Sequence, residues 1–125
     1  MPPDDGRDVA IAERPRRMIL RGWRPVEKTG GTLRGFASVE LPIGLILLDC
    51  PVHVSRGRPW AALPGRPVID DAGRHADDPK RPSKKAWVAM AKWTDRDIAE
   101  RWSQRVIELV RGAFPNDLEN EEPSQ

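Results

Sequence analysis

The chain has 125 residues, of which 38% are hydrophobic and 32% charged, a composition that predicts one soluble domain with a modest core. Its net charge of +2 is uneven: four of the 19 acidic residues lie in 113–125, so 1–112 holds 21 basic and 15 acidic residues, a net +6. The longest apolar run, 41–48, is far shorter than the roughly 20 residues that cross a bilayer. Residues 1–17 lack the apolar segment of a secretory signal. We therefore expect a cytoplasmic protein with no membrane segment.

The first predicted elements are antiparallel strands that follow a flexible, proline-rich arm at 1–17. From residue 18 onward, short apolar stretches alternate with turn residues, which is typical of such strands. In the second stretch, Ala37 and Val39 alternate with Phe36 and Ser38, as on a half-buried strand. The pattern predicts strands at 18–26, 33–41, 45–54 and 59–63, with a short fifth strand at 86–93.

The third predicted strand carries the longest alternation. Leu45 and Leu47 make its second face apolar as well, so we expect the helix or a second subunit to cover that face. Pro51 lacks an N–H for the ladder, which favours a sheet edge or a bulge at this position. Cys50 is the single cysteine and is expected in the core of a protein from a reducing compartment. The predicted inward face consists of Ile46, Leu48, Cys50, Val52 and Val54.

Residues 64–85 contain four prolines, two glycines and many charges, so we expect a long loop without regular structure. A helix is predicted from Asp95 to Arg111, with Thr94 as N-cap and Gly112 as C-cap, followed by an acidic disordered tail at 113–125. Its apolar stripe is formed by Ile98, Trp102, Val106, Leu109 and Val110. The predicted fold is therefore a single α+β domain at 18–112: a small antiparallel sheet of four or five strands with one C-terminal helix.

The sequence offers little for catalysis. A glycine-rich phosphate loop is missing, and Cys50 and His53 are three residues apart on one strand, so they point to opposite faces and form no dyad. The long loop has carboxylates and an imidazole that could chelate a divalent cation, but their spacing matches neither an EF-hand nor a zinc motif. These residues are Asp70, Asp71, His75, Asp77 and Asp78. We expect a protein that is not an enzyme and uses no cofactor or metal.

Basic and aromatic residues are interleaved between 56 and 87. Lysine and arginine neutralise phosphates, and exposed tryptophans such as Trp60 and Trp87 can stack on unpaired bases. The alternative is that both tryptophans are core residues of strands and that 80–85 is a solvated charged loop. The basic residues in this region are Arg56, Arg58, Arg66, Arg74, Lys80, Arg81, Lys84 and Lys85.

Three segments carry a resemblance to a known family: LRGFASVEL at 33–41, the strand 45–54 with Asp49 and Val52, and GRPWAALP at 57–64. Together they resemble the septation protein family typified by stage V sporulation protein G. That family shows an alternating strand with Ala-Ser-Val/Ile at its centre, a strand ending near Asp-x-x-Val, and a Gly-x-aromatic-x-Ala-Met/Leu-Pro strand. The resemblance covers roughly 18–111, including the C-terminal helix.

The resemblance implies a small sheet with a C-terminal helix, a homodimer, and regulatory binding of DNA or RNA. In the family, basic residues just after the Met/Leu-Pro dipeptide take part in nucleic-acid binding, and Arg66 matches that position. An insertion at 70–85 brings further basic residues. No base-reading element is evident, so we expect low sequence specificity. The residues predicted to contact phosphates are Arg56, Arg58, Arg66, Lys80, Arg81, Lys84 and Lys85.

Two other functions fit the sequence. A protein-interaction module without nucleic-acid binding would use the face with Leu45 and Leu47, or exposed tryptophans, against a protein partner. A metal-dependent hydrolase would use Asp70, Asp71, His75 and Asp77, and it predicts thermal stabilisation by divalent cations.

Overall fold

The computed structural model describes residues 17–27 and 30–119. Four antiparallel strands form the main sheet in the order β1-β2-β3-β4, and helix α1 (Arg96–Ala113) packs on one face. This confirms the predicted fold class. The main strands are β1 (Ile19–Pro25), β2 (Leu33–Glu40), β3 (Ile46–Ser55) and β4 (Arg58–Ala61).

The core lies between the inner face of the main sheet and α1. The helix begins where Asp95 accepts a hydrogen bond from the Ile98 backbone N–H at 2.9 Å, one residue after the predicted cap. It runs past the predicted end, through Gly112 to Ala113, because Phe114 N–H still reaches the Val110 carbonyl at 2.7 Å. The buried sheet residues include Ala37, Val39, Cys50, Val52, Val54 and Ala61, and the buried helix residues are Trp102, Val106, Ile107 and Val110.

A bulge in β3 corrects the predicted inward face. Ala37 pairs with Cys50 but Val39 pairs with Leu47, so Leu48 and an extra Asp49 oppose one residue of β2. Asp49 has φ of 54°, a left-handed conformation that aspartate tolerates better than most residues. The bulge shifts the alternation by one residue. Ile46 and Leu48 are consequently exposed, whereas Leu47 packs against the core.

Pro51 lies inside β3, which is paired on both sides. Its carbonyl accepts from Ala62 N–H at 3.0 Å, just beyond the end of β4. The N–H that proline lacks would point to the same side, where the neighbouring strand has already ended. The predicted edge position or bulge at Pro51 is therefore wrong, because β3 is an inner strand and its bulge lies at Leu48 and Asp49; the proline is tolerated because β4 ends beside it.

The prediction of a structureless loop at 64–85 is wrong. Strand β5 (Gly65–Pro67) pairs with β8 (Trp87–Ala89), and a hairpin of β6 (Asp77–Asp78) and β7 (Arg81–Lys85) lies between them in the chain. Backbone hydrogen bonds join the two pairs: Ala76 N–H to Val68 O at 2.8 Å, and Ala86 N–H to Ala76 O at 2.8 Å. We call residues 65–89 the β5–β8 unit. Its β8 is the predicted fifth strand, paired outside the main sheet.

The residues after α1 are ordered as far as the structure describes them, which corrects the start of the predicted disordered tail. Leu118 is 2% exposed and joins the core. The Trp23 indole N–H donates to the Asp117 carboxylate at 2.7 Å, and its ring lies 6.5 Å from that of Phe114. The predicted arm, apart from Arg17, and residues 120–125 lie outside the described residues.

Candidate nucleic-acid interface

The face of the main sheet opposite α1 carries aromatic and basic side chains. Strand register places Arg24 beside Phe36 and Phe36 beside Pro51 in one row, and His53 beside Trp60 in the next. Ser55 pairs with Arg58 at the end of the face. We call this surface the outer face.

Trp60 and His53 form a stacked pair on the outer face. Their ring centroids are 5.0 Å apart and the planes differ by 14°. Trp60 is 39% exposed, so the core alternative is wrong for this residue. It is also wrong for Trp87, which is 60% exposed and meets the His75 ring edge-on at 4.7 Å. Exposed indoles of this kind offer π-faces to a planar ligand.

The β3–β4 turn places two arginines next to Trp60. Arg56 and Gly57 both have positive φ, 55° and 76°, as required for a two-residue hairpin turn with the twist of the strands. The turn and the adjoining residues enclose an open recess of about 420 Å³. Both charged side chains of the recess are guanidinium groups. Its lining residues are Ser55, Arg56, Arg58, Pro59 and Trp60.

Burial and two nearby cations act on His53. Its Nδ1 lies 2.9 Å from Thr32 Oγ1. Burial lowers its pKa, and the nearby charges of Lys84 and Arg34 lower it further. Lys84 belongs to the β6–β7 hairpin, so a charge of the β5–β8 unit acts on His53.

Arg34 is a charged residue that the sequence analysis did not assign to the site. It lies in a β2 bulge, where Leu33 pairs with His53 and Gly35 with Val52, and it is only 8% exposed. Its Nη1 donates to the carbonyls of Gly31 at 2.8 Å and Leu33 at 3.3 Å, while its Nε has no partner among the described residues. A buried guanidinium held by neutral carbonyls raises the local positive potential. A single sequence does not show whether an arginine is buried, so this position could not be predicted.

The structure gathers only part of the predicted phosphate-binding set. Arg56, Arg58 and Lys84 lie at or near the outer face, whereas Arg66 lies on β5 opposite Val88. Two basic residues of the β6–β7 hairpin are ion-paired: Arg81 with Asp78 at 3.2 Å, and Lys85 with Asp77 at 3.0 Å. Lys80 lies in the turn of the same hairpin.

Three acidic residues of the β5–β8 unit, Asp70, Asp77 and Asp78, make local contacts. Asp70 Oδ1 accepts from the backbone of Ala72 and Arg74 at 2.9 Å each, which fixes a turn. Hydrogen bonds from Lys80 and Arg81 lower the pKa of Asp78. His75 Nε2 lies 2.9 Å from the Ala86 carbonyl. Within 17–27 and 30–119, these side chains do not converge into a group of three or more metal ligands.

Cys50 and His53 lie on opposite faces of β3, as the spacing predicts. Cys50 is fully buried in the core, where burial, aided by the charge of Asp49, raises the pKa of its thiol to about 12. Such a thiol stays protonated at neutral pH and is a poor nucleophile. The residue is a core side chain.

A second surface feature is an apolar patch at the hairpin between β2 and β3, which we call the β2–β3 tip. Its four large aliphatic side chains are between 41% and 81% exposed, and the Asp49 bulge is what turns two of them outward. Residues 41–48 contain no charge. The members of the β2–β3 tip are Ile43, Leu45, Ile46 and Leu48.

Comparisons of the chain with protein-family models, with curated proteins and with solved structures find no match. No helix in the described part of the chain has the length and hydrophobicity to cross a membrane.

Proposed function

We propose that this protein is a cytoplasmic regulatory protein that binds DNA or RNA with low sequence specificity through its outer face. The observation that carries the proposal is the exposed Trp60, stacked on His53 and flanked by Arg56 and Arg58. Basic side chains around an exposed aromatic ring are what a nucleic acid needs, because phosphates bind the cations and bases stack on the ring.

Low specificity follows from the kinds of side chain on this face. The arginines and Lys84 supply phosphate contacts, which position a nucleic acid without reading its sequence. The long helix α1 packs against the opposite face of the sheet and does not contribute to the outer face. Binding should therefore weaken steeply with salt, since each phosphate contact releases condensed counterions.

The test is fluorescence anisotropy with labelled single-stranded DNA, duplex DNA and RNA at low and physiological salt. The double variant Arg56→Glu/Arg58→Glu should lose most of the binding. The matched control is Arg96→Glu/Arg101→Glu, which changes the net charge equally on exposed positions of α1. Equal loss in both variants would show a nonspecific charge effect, and absence of binding to all three ligands at low salt would refute the proposal.

A protein contact is favoured independently by the β2–β3 tip, and we propose a homodimer through it. A large uncharged apolar patch on a soluble protein marks an interaction surface. The same patch on a second copy would bury these aliphatic side chains against identical ones, as in a two-fold symmetric interface. Light scattering should show a dimer for the native protein and a monomer for Ile43→Lys/Leu48→Lys. A monomeric native protein at micromolar concentration would refute this arrangement and leave the tip for a different protein.

A further inference from the structure

The recess beside Trp60 has the composition of a site for one nucleotide. It is open to solvent, with a volume of about 420 Å³ beside the Trp60 ring. Trp60 supplies an aromatic wall, Ser55 is a polar residue at the edge, and Arg56 and Arg58 provide guanidinium groups. These are the groups that a planar base and its phosphate would require.

The aromatic wall is held in place. His53 stacks on Trp60 at 5.0 Å, and His53 is itself held by Thr32 at 2.9 Å. The backbone of the turn beside it is defined by two consecutive positive φ values, at Arg56 and Gly57. A preorganised site loses less conformational entropy when a flexible ligand binds.

We propose that this recess takes an unpaired base against Trp60, with Arg56 and Arg58 on the adjoining phosphates, so that the protein prefers single-stranded to duplex nucleic acid. This inference rests on the proposed function. In a duplex the base faces are stacked on one another, so only the phosphate contacts of the two arginines remain available.

Stacking and phosphate contacts differ in their response to salt, and this separates the two roles. Trp60→Ala should weaken single-strand binding by about tenfold and leave the salt slope unchanged, since stacking releases no counterions. Each phosphate contact with a single strand contributes roughly 0.7 to the slope of log K against log salt. Arg56→Ala/Arg58→Ala removes two contacts and should therefore reduce the magnitude of the slope by about 1.4.

The experiment measures anisotropy with a labelled oligothymidine of 15 nucleotides and a 15-base-pair duplex, over a series of salt concentrations. Trp60→Phe keeps an aromatic face and should retain most of the binding, whereas Trp60→Leu, which keeps apolar contact, should lose as much as Trp60→Ala. Met90→Ala, which removes an exposed apolar side chain that does not line the recess, is the control and should bind almost normally. Circular dichroism confirms that each variant is folded.

The outcomes separate the two proposals. Tighter binding of the single strand, with a selective loss in Trp60→Ala and Trp60→Leu, supports the inference. If single strand and duplex bind equally, and neither Trp60→Ala nor Trp60→Leu changes the binding, the proposed base site is wrong but the proposed nucleic-acid binding stands. Absence of binding to both ligands at low salt overturns the inference together with the proposed function.

Discussion

The two faces of the main sheet differ in what their side chains contribute. The inner face presents small aliphatic residues such as Ala37, Val39 and Val52, all 0% exposed, against α1. The outer face presents the partly exposed Trp60, which stacks on His53, and the arginines Arg56 and Arg58 beside it. Burial of apolar area stabilises the fold, whereas exposed aromatic and basic groups contribute little to stability and are available to a ligand. Substitutions on the two faces should therefore have separable effects.

The largest contrast is expected between two tryptophans. Trp102 is 7% exposed and packs 5.4 Å from the Trp93 ring, so Trp102→Ala should lower the free energy of unfolding by about 3–5 kcal/mol. Trp60→Ala loses the stack on His53, worth about 0.5–1.5 kcal/mol, together with the burial of a side chain that is already 39% exposed, so its total cost should be smaller than that of Trp102→Ala. Urea denaturation of both variants measures the difference. Similar losses of stability would show that Trp60 belongs to the core after all.

Two glycines provide a second contrast within the fold. A Cβ at Gly35 would lie 2.6 Å from Trp23 Cη2 and 2.7 Å from the Arg24 carbonyl oxygen, so Gly35→Ala should destabilise by about 1–3 kcal/mol. A Cβ at Gly112 meets nothing within 4 Å. Gly112→Ala should stabilise α1 by about 0.5–1 kcal/mol. Thermal unfolding should show a lower melting temperature for Gly35→Ala and a higher one for Gly112→Ala. An unchanged melting temperature in Gly35→Ala would refute the close contact with Trp23.

The smallest expected effect is a pH dependence that comes from the outer face. The pKa of His53 in the folded protein lies below its ordinary value of 6.5, so the unfolded chain binds the proton more readily. His53 then favours the folded state above pH 6.5, and this contribution is lost as the pH falls through the folded pKa. His53→Phe retains an aromatic partner for Trp60 and should flatten the dependence between pH 7.5 and pH 5. An unchanged acid dependence of the urea midpoint in that variant would contradict the assignment.

Much of the fold could be predicted from the sequence because its main elements follow regular periods. The four strands and α1 were expected within a few residues, since alternation in β2 and the apolar stripe of α1 are strong local signals. The bulge at Asp49 was missed because the alternation of residue types continues through it. A left-handed aspartate in a strand depends on the pairing with β2, which a local pattern does not contain.

The β5–β8 unit and the site illustrate a different limit. Strand β7, with sequence RPSKK, has no aliphatic or aromatic residue, and its strand conformation depends on hairpin pairing with β6. Strand propensity therefore gave no signal there. The sequence indicated the arginines and Trp60, but it could not tell an exposed tryptophan from a buried one, or show that Arg34 and Lys84 lie near His53.

The most direct test of the account is an NMR titration of the native protein with a short single-stranded oligonucleotide, following the indole N–H signals of its tryptophans. We predict large shifts for Trp60 and for the backbone amides of Arg56 and Arg58, and little change for Trp102 in the core. Shifts confined to the exposed side of α1 or to the β2–β3 tip, or no shifts at low salt, would contradict the claim that the outer face binds nucleic acid.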